Sequence, residues 1–196
     1  MSEIITKAKI SPTGIIQQGD IFKNIEFLEY AVESEETIEI SKIVFPYVIV
    51  LTQACDLQQD HYARERVENK ESENQDKYLI SVIVAPLYNF EEFRTGKHLS
   101  QLDMTMLDQG KRNKSKCENI IKNETKRYHY LQFDSFIPIS ESVVDFKHYF
   151  TVTVNYLSQE YDTHYVCSIE SLYRESISQR FSNFLARIGL PDPQKE

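Results

Sequence analysis

No stretch of this 196-residue chain approaches the roughly 18 consecutive apolar residues that a bilayer-spanning helix needs. The first ten residues carry Glu3, Lys7 and Lys9 where the apolar part of a secretory leader would have to lie. Neither membrane insertion nor export is expected, and a reducing cytoplasm is the expected location. Three cysteines, Cys55, Cys117 and Cys167, are far apart and odd in number, so no disulfide framework can pair them all. There is no Cys-x-x-Cys or paired-histidine motif, and Cys55, Asp56 and His61 do not stand at a zinc spacing, so no metal site is expected. None of the five glycines stands in a Walker or dinucleotide pattern, which leaves no phosphate loop and no cofactor to expect. Internal repeats and low-complexity tracts are also absent.

The composition is that of a globular domain: 41% apolar and 27% charged, with 12 tyrosines and 11 phenylalanines to fill a core. The length suits one domain with insertions better than two. A net charge of -8 argues against a protein that simply coats nucleic acid. The charge is uneven, however. Residues 111–127 hold seven basic side chains (Lys111, Arg112, Lys114, Lys116, Lys122, Lys126, Arg127) against Glu118 and Glu124, whereas elsewhere acids outnumber bases 28 to 15.

Apolar periodicity orders the elements. Gln18-Gly19-Asp20 is a turn signal opening a run to Val32, and residues 37–45 alternate at Ile38, Ile40 and Ile43, so two strands joined by an acidic turn at 33–36 are expected. Residues 47–51 and 78–85 are short aliphatic runs bounded by Pro46 and Pro86, the predicted central strands. Residues 58–77 are polar and mixed in charge, a long loop or a solvated helix. Asn89 can cap a turn through Phe93, and Leu99, Leu102, Met106 and Leu107 follow at helical spacing. A short helix is expected over 116–123 and an extended segment over 128–133. Residues 148–157 alternate clearly, with Phe150, Val152, Val154 and Tyr156 on one face, and read as a strand throughout. The last element, a helix over about 168–188, carries the stripe Ile177, Phe181, Phe184, Leu185 and Ile188 and is ended by Gly189 and Pro191.

Three segments carry a resemblance through their order and spacing: Gly19-Asp20-Ile21-Phe22, then Pro46-Tyr47-Val48-Ile49-Val50-Leu51-Thr52, then Val82-Ile83-Val84-Ala85-Pro86. Over roughly residues 17–90 the chain resembles the PemK/MazF-like family. The resemblance implies a small SH3-like barrel, often dimeric, whose members include sequence-selective bacterial endoribonuclease toxins, and with it a toxin-antitoxin or phage-defence setting. Such chemistry uses the RNA 2′-hydroxyl as nucleophile and needs a base and a cation rather than a metal. The family commonly places Arg before the middle Pro and Thr or Ser after the later one. Here those places hold Phe45, Leu87 and Tyr88, so the family ribonuclease residues are not retained. Phe45 has no charge, and Tyr88 offers a phenol of ordinary pKa, about 10. Arg94, Arg127 or the basic segment could supply a displaced cation.

Two further constellations stand out. Thr52-Gln53-Ala54-Cys55-Asp56-Leu57 places small and polar groups at the end of a buried run, where sites tend to be built. Cys55 can be a nucleophile or ligand with Asp56, Gln53 and Thr52 beside it, or a small core residue followed by a turn or cap. A thiol nucleophile would want a base from among His61, His98, His129, His148 and His164. Arg127-Tyr128-His129-Tyr130 interleaves cations and aromatics directly after the basic segment, a mixture suited to phosphate contact and base stacking, or equally an ordinary strand preceded by a solvated loop.

The expected fold class is α+β: one domain over 1–196, a β-rich SH3-like, PemK-like barrel core at about 15–90 and 128–157, a helical and basic insertion at about 95–127, and a C-terminal amphipathic helix. The expected function is binding of RNA or single-stranded nucleic acid through Lys111, Arg112, Lys114, Lys116, Lys122, Lys126, Arg127, Tyr128 and Tyr130. Were the chain an enzyme, it would cleave RNA without metal, with Arg127 and His129 as cation and acid/base. The alternatives are a catalytically inactive interaction protein docking a protein partner or itself as a homodimer, and a Cys55-dependent enzyme.

Overall fold

The computed structural model describes residues 5–35, 37–109 and 114–187, the side chains of 114–116 aside. Eight strands form one antiparallel sheet: β1 (Ala8–Lys9), β2 (Asp20–Glu33), β3 (Ile38–Val50), β4 (Ser81–Asn89), β5 (Tyr128–Leu131), β6 (Ser142–Asp145), β7 (Phe150–Thr153) and β8 (Tyr165–Ile169). Their order is β1-β8-β2-β3-β4-β6-β5, with β7 also on β4. Six α-helices are described: α1 (Ala54–Glu68), α2 (Phe90–Thr95), α3 (Lys114–Ile121), α4 (Val154–Gln159), α5 (Tyr161–His164) and α6 (Ser171–Leu185). The class is α+β, and no described helix is long and apolar enough to cross a membrane.

Alternation along the strands divides the apolar residues between two layers. On one face Phe22, Ile25, Val48, Val50, Val84 and Tyr130 pack with Leu57 of α1, Phe90 and Phe93 of α2, Ile120 of α3 and Leu157 of α4. On the other, Ile21, Ile49, Ala85, Leu131, Val144 and Phe146 meet Ile177, Phe181 and Phe184 of α6. Burying those three helix side chains contributes roughly 1.5–3 kcal/mol each. The sheet curls into a half-barrel whose two ends touch: Thr6, ahead of β1, bridges Phe133, beyond β5, and its N–H donates to the Gln132 carbonyl at 2.7 Å.

The free side of β5 is closed by side chains. Asn123 accepts from the Tyr130 N–H at 2.7 Å and donates to the Tyr130 carbonyl at 3.2 Å, reproducing a strand's pairing. Arg180 of α6 donates to the carbonyls of Asn123, Thr125 and Tyr128. An edge covered in this way does not template association.

Several expectations are corrected. The prolines do not divide the strands. Pro46 lies inside β3 opposite Asn24, whose φ of 54° loosens β2 there, and β4 pairs only from Val48 onward, so no ladder bond is asked of the missing N–H. Pro86 lies inside β4, which runs on to Asn89 along β6. Residues 148–157 are half strand and half helix: the Thr153 hydroxyl accepts from the Tyr156 N–H at 3.4 Å and starts α4, which buries Val154 and Leu157, three residues apart. The span 99–107 holds a single 3-10 turn, Ser100–Leu102, ended by Asp103 at φ 53°. What read as the head of the last helix is β8; α6 starts at Ser171, its Leu185 is 49% exposed, and Ile188 lies outside the described residues. Of the two readings of the polar region 58–77, the helix holds as far as Glu68: α1 is pinned by the buried Asp60, which accepts from the Leu79 N–H at 2.6 Å and from Arg64 at 2.9 Å.

Candidate functional site: a tyrosine-histidine cluster beneath a pocket

β6 and β7 lie end to end along one side of β4. Leu87 faces Val144 and Val84 faces Phe150, so three steps on β4 meet six on the partner. The three extra residues form the 3-10 turn Phe146–His148, whose first turn is capped by Asp145, accepting from the Lys147 N–H at 3.0 Å. The turn swings His148 back over the end of β6.

Four side chains converge there. Arg127, at the start of β5, grips Asp145 with Nε at 2.8 Å and Nη2 at 2.5 Å, and its guanidinium lies 5.0 Å over the Tyr128 ring. The Asp145 side chain is 1% exposed. Its Oδ2 is 3.6 Å from His148 Nδ1, which in turn is 2.9 Å from the Tyr88 hydroxyl. Burial, then the Asp145 charge, pushes the Tyr88 phenol well above its ordinary value, correcting the expectation of an unperturbed phenol. A phenol so held keeps its proton and can donate it to His148 Nδ1, in the tautomer that carries the imidazole proton on Nε2. Burial lowers His148 despite the opposing pull of Asp145, so the ring is neutral at pH 7.

Tyr88 also forms the floor of a pocket of about 320 Å³. Phe45 and Tyr47 of β3 stand on one wall and His98 on another. His98 meets Tyr88 edge-on at 4.6 Å and Phe93 at 5.0 Å. Both of its ring nitrogens are buried and neither makes a well-formed hydrogen bond, the Glu92 backbone being the polar group beside the ring; burial followed by the neighbouring His148 brings its pKa down to about 4. The wall is folded into place locally. Asn89 caps α2, accepting from the N–H groups of Glu91 and Glu92, and Gly96 ends it at φ 76°. A Cβ on Gly96 would stand 2.5 Å from the Met106 carbonyl oxygen, so only glycine lets residues 97–102 fold over the pocket.

The structure separates the residues that the sequence put together. The Arg127 guanidinium joins Asp145 and Tyr128, whereas His129 points to the opposite layer, 6.3 Å from the Phe146 ring, where burial and Arg180 bring its pKa down to about 3. Tyr128 and Tyr130 pack edge-on against Phe93 and Phe90 at 4.9 and 5.1 Å, so their rings serve the core. Lys122 and Lys126 are exposed, Lys114 and Lys116 belong to α3, and Lys111 and Arg112 lie outside the described residues. Thr52 is buried and accepts from the Ile83 N–H at 2.6 Å. Gln53 precedes α1 without capping it, and Asp56 lies in the helix's first turn. Cys55 is exposed rather than in the core, its Sγ 3.6 Å from both Gln53 Oε1 and Asp56 Oδ1; the buried thiol is Cys167. Among the described residues no cluster of three or more His, Cys, Asp or Glu stands close enough to hold a metal ion. Asp145 has no place in the sequence analysis, and His98 and His148 enter it only as candidate bases for a Cys55 thiol; the one available signal was an Asp and a His three apart at the end of the Val143-Val144 run.

Comparison with protein-family models, with curated proteins and with solved structures finds no match to this chain.

Proposed function

We propose that the chain binds single-stranded nucleic acid, RNA in the first instance, by drawing one base into the pocket over Tyr88 and His98. His98 carries the reading. A neutral imidazole offers one donor and one acceptor, and here neither nitrogen makes a well-formed hydrogen bond on the wall of a pocket with aromatic sides. A small turn of the ring toward a base edge would satisfy one of them, and Phe45 or Tyr47 supplies a stacking face. The volume, about 320 Å³, suits a base with part of its sugar. The Cys117 thiol of α3 feels the charges of Arg94 and Glu91 on α2, the helix that leads into the pocket wall, and the exposed Lys122 and Lys126 that follow α3 can meet a nucleic-acid backbone. The motif order at 19–22, 46–52 and 82–86 supports a PemK/MazF-like barrel working in a toxin or phage-defence setting. The reading is binding rather than cleavage, because Arg127, the cation nearest the cluster, is neutralised by Asp145.

Anisotropy of labelled, mixed-sequence single-stranded RNA in EDTA, at low and moderate salt, tests this. Binding should saturate, weaken with salt, and fall about tenfold in His98→Ala and again in Lys122→Glu with Lys126→Glu. RNA that fails to bind, or binds these variants as well as the parent, sinks the proposal.

One observation favours a second reading, an interaction protein. Beyond Tyr47 the β2–β3 hairpin projects as a two-stranded ribbon with Leu28, Tyr30, Val32, Ile38, Ile40 and Val44 exposed. Such a surface suits a protein partner or a second copy. A mass that stays monomeric in light scattering at high concentration would leave only a separate partner.

A further inference from the structure

On another side of the molecule, away from Tyr88, a hollow of about 290 Å³ opens between the first turns of α1 and α6. Ile15, Leu57 and Tyr62 give it an apolar wall, and Gln17, His61 and Arg174 bring polar groups to it. Arg174 is the unusual member. The inner N–H of its guanidinium is buried and has no acceptor, and the guanidinium makes no ion pair or hydrogen bond among the described residues. The nearby buried carboxylate of Asp20 attracts the guanidinium through space without hydrogen-bonding to it, its oxygens being turned to other donors. Asp20 Oδ1 accepts from the Ser168 hydroxyl at 2.6 Å, and Oδ2 accepts from the Gln17 N–H at 2.8 Å.

The placement is enforced rather than incidental. The aliphatic stem of Arg174 lies on Gly19, where an added Cβ would stand 3.1 Å from Arg174 Cγ. Gly19, at φ 84°, therefore both turns the chain into β2 and clears the path along which the guanidinium reaches the hollow. A desolvated guanidinium donor without an acceptor is costly, and such a group calls for an anion to complete it.

We infer that this hollow binds a phosphate monoester with an apolar or aromatic body. A tetrahedral dianion can take the Arg174 fork on two oxygens and leave others for His61 and the Gln17 amide, a division that a planar carboxylate cannot make. Inorganic phosphate alone would leave the wall of Ile15, Leu57 and Tyr62 uncovered, whereas an ester's organic part fills it.

Phenyl phosphate is the probe, titrated into the full chain while backbone amide shifts are followed by NMR, with inorganic phosphate, benzoate and phenol in parallel. Saturable shifts at Gln17, Gly19 and His61 are expected with phenyl phosphate, tighter than with the other three. Arg174→Gln should raise the Kd by about tenfold or more. Should that variant fail to fold, His61→Gln, a partly exposed site, should raise it severalfold. Shifts that never saturate, an unchanged Kd in the folded variant, or benzoate binding as tightly as phenyl phosphate would overturn the inference. Unmoved Tyr88 and His98 signals keep this result separate from that of the RNA pocket.

Discussion

Arg127, the residue before β5, grips Asp145, which the first rung of the β5–β6 ladder sets opposite Tyr128; two parallel hydrogen bonds join a guanidinium that is 31% exposed to a carboxylate that is 1% exposed. Removing one partner strands the other. Arg127→Ala should cost about 2–3 kcal/mol, somewhat less than for a fully dry pair because the guanidinium reaches solvent. Urea unfolding of both singles and the double variant measures the coupling; a double variant that loses the full sum of the singles would show that the pair does not act as a unit.

Acid should destabilise the fold through its neutral histidines. His129 has a folded pKa of about 3, so below about 6.5 the unfolded chain takes up the proton first, and stability present above that value drains as pH falls, by about 1.4 kcal/mol per unit. His98, depressed to about 4 but partly exposed, adds a smaller share in the same direction. Asp20 works oppositely: burial raises it to about 6, so the folded state gains as pH falls from there toward 3.8. Urea midpoints at pH 7 and pH 5 should show a shallower acid loss in His129→Gln than in the parent chain.

Tyr88→Phe removes the phenol that holds His148 Nδ1 and leaves Asp145 Oδ2 as that nitrogen's nearest polar neighbour. A proton on Nδ1 is then favoured, and the His148 pKa, which burial depresses in the parent, should rise. NMR titration of the imidazole signals reads this directly, and an unmoved or lower value would contradict the hydrogen-bond assignment.

Asn123 combines a left-handed φ of 57° with an amide that completes both backbone groups of Tyr130. Asn123→Gly keeps the turn and removes only the amide. A loss of about 1–2 kcal/mol is expected, together with faster aggregation on warming, because the edge of β5 is opened. Equal stability and equal aggregation would show that Arg180 alone guards that edge.

The hairpin and the central strands were legible because β-branched runs and an acidic turn mark them locally. The prolines misled because a missing N–H matters only where a neighbour asks for it, and Asn24 and the late start of β4 are facts of pairing, not of composition. The stretch 150–157 misled because Phe150, Val152, Val154 and Tyr156 keep period 2 into what is helix, and only the Thr153 hydroxyl and the three-residue spacing of Val154 and Leu157 mark the change. Arg127 was visible among its basic and aromatic neighbours; its partner was not, since Asp145 is brought to it by the register that sets Tyr128 opposite that residue. His148 meets Tyr88 only through three surplus residues in a strand interrupted far from both sequence motifs, which leaves no trace in local pattern.

The half-barrel has a consequence for how the chain is made. β1 emerges from synthesis first, yet its strand partner is β8, with Ala8 against Ile169 and Lys9 against Ser168. β8 also completes the outer side of β2, by pairing at Asp20 and Ile21. Until the ribosome has delivered β8, β1 and the outer flank of the longest hairpin lack these partners. Closure therefore waits on contacts between distant parts of the sequence, which makes folding slow and leaves the nascent hairpin exposed to wrong partners for most of translation.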